Sequence, residues 1–176
     1  MPIDYLRTFT TPRRTNASNR RLGRSLAFVA GAANAGGFLA VGQYTSHMSG
    51  IVSALADNAA KPGVHKTADG LQYRVIKAGA GKTPQSPDDM VSVTYKGWMI
   101  NGKVFDQTHG APATFPAGAL IPGWVEALSM MKEGDEWELV IPSDLGYGEE
   151  GAGNGAIPGG QTLVFDMTLI TVTPAK

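Results

Sequence analysis

Residues 71–174 predict an α+β domain, an antiparallel sheet of four to six strands with one short helix packed on it. Three observations predict it. Apolar residues recur at period two in several separate runs from Leu71 onward, the spacing at which a strand buries one face. A single stretch repeats at helical spacing instead. The chain carries 23 Gly and 11 Pro, a supply of turns suited to a β-rich fold.

The elements follow in order. Leu71, Tyr73 and Val75 alternate with Gln72 and Arg74; Val91, Val93 and Tyr95 alternate with Ser92, Thr94 and Lys96. Asn101-Gly102 stands between Met99-Ile100 and Lys103-Val104-Phe105, which reads as a two-residue hairpin turn. Trp124, Ala127, Leu128 and Met131 fall on one helical stripe. Pro122 and Gly123 precede that helix and Gly134 is expected to end it. Trp137, Leu139 and Ile141 mark the next strand, and Leu163, Phe165, Met167 and Leu169 share one face of a final long one.

Ahead of this domain the chain changes character. Residues 1–25 form a basic arm with six Arg and one acid, Asp4. Residues 25–56 contain no Asp, Glu, Lys or Arg. Residues 57–70 are polar and small, with Pro62, Gly63 and Gly70, and read as a linker. The zero net charge of the whole chain therefore hides a basic arm and an acidic domain. The apolar segment, residues 26–56, has two main readings. Leu26–Val41, extended through Tyr44, approaches the ~20 residues of a membrane span, and the flanking Arg would keep the arm cytoplasmic and put the domain outside. Membrane association would then run through residues 26–45. Alternatively the segment is a signal peptide, with small-x-small cuts at Ala33-Asn34-Ala35 or Ala54-Leu55-Ala56. Both favour a membrane-associated or periplasmic protein over a cytoplasmic one. A third reading is an arm without function.

Several chemistries are excluded. There is no Cys, so thiol catalysis, disulfides and Cys-based zinc sites fall away. His47, His65 and His109 match no metal-ligand spacing. Gly146-Tyr147-Gly148-Glu149-Glu150-Gly151 has dinucleotide spacing but opens onto Gly and Pro, and its two Glu would repel a pyrophosphate. Gly79–Thr83 resembles the end of a phosphate loop, but Ile76 replaces the first Gly and Pro84 follows. An acidic domain is also a poor partner for nucleic acid.

What remains is a set of aromatic stretches with few polar groups: Val93–Gly97, Val104–Asp106, Ala113–Phe115, Leu120–Trp124, Leu145–Gly148, Ile157-Pro158 and Thr162–Phe165. In this order, over about Gly70 to Val172, they resemble the FKBP family of peptidyl-prolyl isomerases, nearest the bacterial type of macrophage infectivity potentiator proteins. Residues 36–58 separately resemble the first span of an uncharacterised family of multi-span bacterial membrane proteins.

The first resemblance implies a five- to six-stranded antiparallel sheet curled around one short helix, with a proline pocket between them. Trp124 would be the pocket floor. Tyr95, Phe105, Phe115 and Phe165 would be its walls, and Leu120, Ile121 and Ile157 its aliphatic contacts. Asp106, the Tyr147 hydroxyl and the Ile121 backbone N–H would be the polar, catalytic groups. Read without the family, Trp124, Phe105 and Phe165 are ordinary core residues and Asp106 a turn carboxylate. Many family members carry an Arg soon after this Asp; Gln107–Ala111 here has none, and His109 is the nearest substitute.

The implied reaction is cis–trans isomerisation of Xaa–Pro bonds in folding polypeptides. It needs no metal or cofactor, because rotation makes and breaks no bond to carbon. The barrier is lost amide resonance, roughly 18–20 kcal/mol. A twisted amide is less polar than a planar one, so a dry aromatic pocket favours the transition state. The resemblance also implies binding of rapamycin-class macrolides. The alternative is a non-catalytic module that holds proline-bearing peptides in the same pocket.

Overall fold

The structure, a computed structural model, describes residue 50 and residues 53–176. The basic arm, and most of the apolar segment with its membrane-span reading and the first small-x-small cut, lie outside the described residues; Ala54-Leu55-Ala56 falls within them, in a helix. Among those described, no helix is long and apolar enough to cross a membrane.

The period-two runs form strands. In order these are β1 (Val64–Lys66), β2 (Gln72–Lys77), β3 (Met90–Met99), β4 (Val104–Gln107), β5 (Ala113–Pro116), β6 (Glu136–Ile141) and β7 (Leu163–Thr173). All pairings are antiparallel. Six strands run in the order β1-β2-β6-β7-β3-β4, and β5 pairs with another stretch of β3. The count is seven, above the five or six expected, because the stretch read as a linker contributes β1. Helix α1 covers residues 53–59. The expected helix is α2 (Pro122–Met130), and a short 3₁₀ turn spans Ser143–Leu145.

The register puts one apolar face on the inside. Val93, Tyr95, Gly97 and Met99 of β3 face Leu169, Met167, Phe165 and Leu163 of β7. Of these, Met167, Phe165 and Leu163 stand opposite Trp137, Leu139 and Ile141 of β6. Helix α2 buries Gly123, Trp124, Ala127 and Leu128. It lies close to the sheet because residue 123 has no side chain: a Cβ there would stand 2.7 Å from Ile141 Cγ2. Trp124, Phe165, Leu139, Leu163 and Ile141 are fully buried.

Three local expectations are revised. Helix α2 stops at Met130, before Gly134. The Asp135 carboxylate accepts the Lys132 N–H at 2.8 Å and draws the chain out of the helix, while Gly134, at φ 90°, makes the turn into β6. The 100–103 hairpin is present, but Asn101 lacks the positive φ that a type I′ turn requires at both centres. Instead Gly102 alone is left-handed, at φ 85°, and its N–H donates to the Met99 carbonyl at 2.8 Å. Val75, placed by alternation on the buried face, is 41% exposed, because the β2 register shifts between Val75 and Lys77 and turns that end outward.

Helix α1 is tied to the outer sheet face. Asn58 Nδ2 donates to Gln72 Oε1 at 2.8 Å, and Gln72 Nε2 donates to the Leu55 carbonyl at 2.9 Å. Both amide side chains are buried and joined, so neither is left with an unmet polar group.

Candidate functional site

Four rings come together over the inner face of the sheet. Trp124, in the first turn of α2, meets Phe165 of β7 edge to face, with centroids 5.2 Å apart and planes at 79°. Tyr95 of β3 meets Trp124 at 5.1 Å and 83°. Phe105 of β4 meets Phe165 at 5.5 Å and 89°. Tyr95 and Phe165 lie 6.4 Å apart. Near-perpendicular rings set the positive edge of one on the negative face of the next, which stabilises the cluster beyond simple burial.

Gly97 is what lets the cluster close. A Cβ there would stand 2.5 Å from Phe165 Cε1 and 2.8 Å from Phe105 Cζ. Gly97 is not among the candidate residues of the sequence analysis, although it stands in one of the motifs. The signal was a Gly interrupting the alternation of β3, which marks close approach of another group.

The polar groups sit at the edge of this cluster. The Tyr95 hydroxyl donates to Asp106 Oδ2 at 2.8 Å. The Gln107 N–H donates to Asp106 Oδ1 at 2.9 Å. The Tyr95 phenol therefore helps to orient this carboxylate. His109 lies exposed after β4. Ile121 caps α2, with its carbonyl accepting from Trp124 and Val125. Its own N–H has no acceptor among the described residues. Trp124 Nε1 is likewise buried without a partner among them.

The remaining predicted residues fall around the same core. Leu120 and Ile157 are buried in it. Tyr147, just after the 3₁₀ turn, is half-buried and packs against it. Phe115 on β5 also packs against it, cross-strand from buried Val91. All ten predicted residues therefore belong to one core or its rim, drawn from β3, β4, β5, the turn before α2, α2, the 147–157 loop and β7.

A curled antiparallel sheet with a tryptophan-bearing helix and a ring cluster on its inner face defines a class. Residues 81–170 match the family model described as FKBP-type peptidyl-prolyl cis-trans isomerase, and the chain belongs to that family. Residues 22–80 match a model described as protein of unknown function (DUF1275).

Among curated relatives, the chain is 49% identical over 123 residues to the FKBP-type 22 kDa peptidyl-prolyl cis-trans isomerase of Escherichia coli (strain K12), covering 69% of this chain and 59% of that protein. It is 48% identical over 120 residues to the peptidyl-prolyl cis-trans isomerase Mip of Coxiella burnetii, covering 67% and 51%. The match thus spans only about half the length of these relatives. Among solved structures, FkpA from Escherichia coli aligns with TM-score 0.70 and 40% identity, covering 75% of this chain and 62% of that one. A peptidyl-prolyl cis-trans isomerase from Pseudomonas syringae aligns at 0.68 and 38%, covering 74% and 96%.

Proposed function

We propose that this chain catalyses cis–trans isomerisation of Xaa–Pro bonds in polypeptides, with residues 71–174 as the catalytic unit. The observation that carries the reading is the ring cluster of Tyr95, Trp124, Phe165 and Phe105 beside an Ile121 N–H that has no acceptor among the described residues. The proline ring stacks on Trp124 between the other rings. The Ile121 N–H holds a substrate carbonyl next to the proline. The low-polarity surroundings favour the twisted amide over the planar one, and each ~1.4 kcal/mol of that preference accelerates rotation about tenfold.

Asp106 acts by orientation and charge. Its bond to the Tyr95 hydroxyl holds both groups in place without proton transfer, since the reaction moves no proton. Tyr147 takes a second polar group of the peptide and keeps the chain still while the bond turns. Phe115, Leu120 and Ile157 complete the apolar wall.

The test is cis–trans exchange of a Leu-Pro peptide followed by NMR with the full chain. Acceleration that is lost in folded Trp124→Ala and Asp106→Ala variants supports the reading. A folded wild type that binds the peptide without accelerating exchange would make it a binding module. The same pocket takes rapamycin-class macrolides, checked by displacement of a labelled macrolide. Membrane association through residues 26–45 is a further part of the proposal. A full-length product found wholly in the soluble fraction of cells would remove it.

A further inference from the structure

The stretch from Tyr147 to Gly160 crosses itself at two glycines. A Cβ on Gly151 would stand 2.1 Å from the Ile157 carbonyl oxygen and 2.8 Å from Gly159 N. From the other side, a Cβ on Gly159 would stand 1.9 Å from the Glu149 carbonyl oxygen. Each segment therefore touches the backbone of the other, and neither admits a side chain.

Hydrogen bonds lock the crossing. Ala152 and Ile157 exchange N–H to carbonyl bonds at 2.9 and 3.0 Å. The Gly151 N–H donates to the Tyr147 carbonyl at 3.2 Å, and the Gly160 N–H to the Gly148 carbonyl at 2.9 Å. The tip carries three successive left-handed residues, Gly153, Asn154 and Gly155, at φ 63°, 53° and 91°. A run of this kind is held by its surroundings, because Asn adopts this conformation only at a cost.

The two candidate residues at the roots of this crossing are Tyr147 and Ile157, Ile157 buried in the core and Tyr147 half-buried against it. We propose that Gly151 and Gly159 are positioning residues: their backbone contact sets Ile157 against Tyr147 and so fixes one wall of the peptide site in advance of binding. This rests on the isomerase-site reading above. It predicts that disturbing the crossing weakens peptide capture more than it slows turnover of bound peptide, because of the groups that act during rotation only Tyr147 is placed by it, while Tyr95, Asp106, Trp124 and Phe165 lie on other elements.

The experiment compares the full chain with Gly151→Ala and Gly155→Ala. Both replace a left-handed glycine, but Gly155 has nothing within 4 Å of its Cβ. It serves as the control for backbone strain alone. Gly151→Ala is expected to raise KM for a Leu-Pro peptide about tenfold with a smaller fall in kcat, and to shift the Ile157 methyl resonance in the peptide-free protein. Gly155→Ala should leave KM and that resonance near wild type. A partly unfolded variant would behave differently, with kcat lowered in proportion and KM unchanged. An unchanged KM and an unmoved resonance in folded Gly151→Ala overturn the proposal.

Where Gly151→Ala does not fold, a two-glycine insertion after Asn154 loosens the crossing without adding atoms to it. It must produce the same rise in KM, or the proposal fails. If wild type shows no acceleration, the isomerase reading falls separately, and peptide Kd together with the Ile157 resonance still decides the role of the crossing.

Discussion

The Tyr95 hydroxyl donates to Asp106 Oδ2 at 2.8 Å, joining β3 to β4 at the rim of the ring cluster. A hydrogen bond to a carboxylate contributes more than one between neutral groups, about 1.5–3 kcal/mol. Tyr95→Phe and Asp106→Asn, singly and together, form a double-mutant cycle. Each single change is expected to lower kcat/KM, and the double change by less than the product of the two. Strictly multiplicative losses would mean that the bond does not couple these residues in the reaction.

Gly97 makes room for the Phe105 and Phe165 rings, which meet at 5.5 Å. Gly97→Ala must push Phe165 or Phe105 aside, and overpacking of this kind costs about 1–3 kcal/mol. Urea unfolding should show that loss, and tryptophan fluorescence should show a changed surrounding for Trp124. Wild-type stability in this variant would mean that the two phenylalanines yield without strain.

Two carboxylates fasten the C-terminal end of β7. Asp89 accepts N–H bonds from Ala175 at 2.9 Å, Gln85 at 2.8 Å and Ser86 at 3.0 Å. Glu133 accepts from Val172 at 2.6 Å and Lys82 at 3.3 Å. The Ala175 N–H first, then that of Gln85, holds Asp89 below the usual carboxylate range against the opposing effect of burial. The Val172 N–H, then that of Lys82, does the same for Glu133. Groups depressed on folding stabilise the fold above their unfolded pKa, about 4. That contribution is lost as pH falls through the folded values. Thermal unfolding should therefore show Asp89→Asn below wild type at pH 7, with the gap closing below about pH 4. A gap that does not depend on pH would contradict the assignment.

Asp166 shows the opposite shift. On the outer face it pairs across strands with Glu138 on one side and Lys96 on the other. Burial first, then Glu138 and Glu136, raises its pKa against the pull of Lys96 and Arg74. A carboxylate raised on folding opposes the fold when ionised, and that opposition disappears below its unfolded pKa. Asp166→Asn is thus expected to raise Tm at pH 7 and to match wild type near pH 3. The gain should be small, roughly 0.2–1 kcal/mol, as for other cross-strand pairs. A lower Tm at pH 7 would mean that the Lys96 attraction outweighs the like charges.

Much of this was legible before the fold was known. Alternation located β2, β3, β6 and β7, and one helical stripe located α2, because burial of a single face imposes its period on the sequence. The ten candidate residues followed from the family resemblance that the ordered aromatic motifs carry. What stayed hidden depended on contacts remote in the chain. Val64–Lys66 is too short and polar to show a period, and becomes a strand only through its pairing with β2. The end of α2 was set by the Asp135 carboxylate five residues beyond its last residue, not by Gly134.

The sequence by itself determined the class of fold and the face that most of each long strand buries, since these follow from residue type and spacing; the pocket was implied by the family resemblance alone. Only the tertiary structure decided which groups meet. Tyr95 and Asp106 lie on different strands, Gly97 makes room for rings from β4 and β7, and Gly151 and Gly159 approach through a turn of left-handed residues. None of these relations has a period or a fixed spacing. Each arises from packing between elements far apart along the chain, and so appears only when the chain is folded.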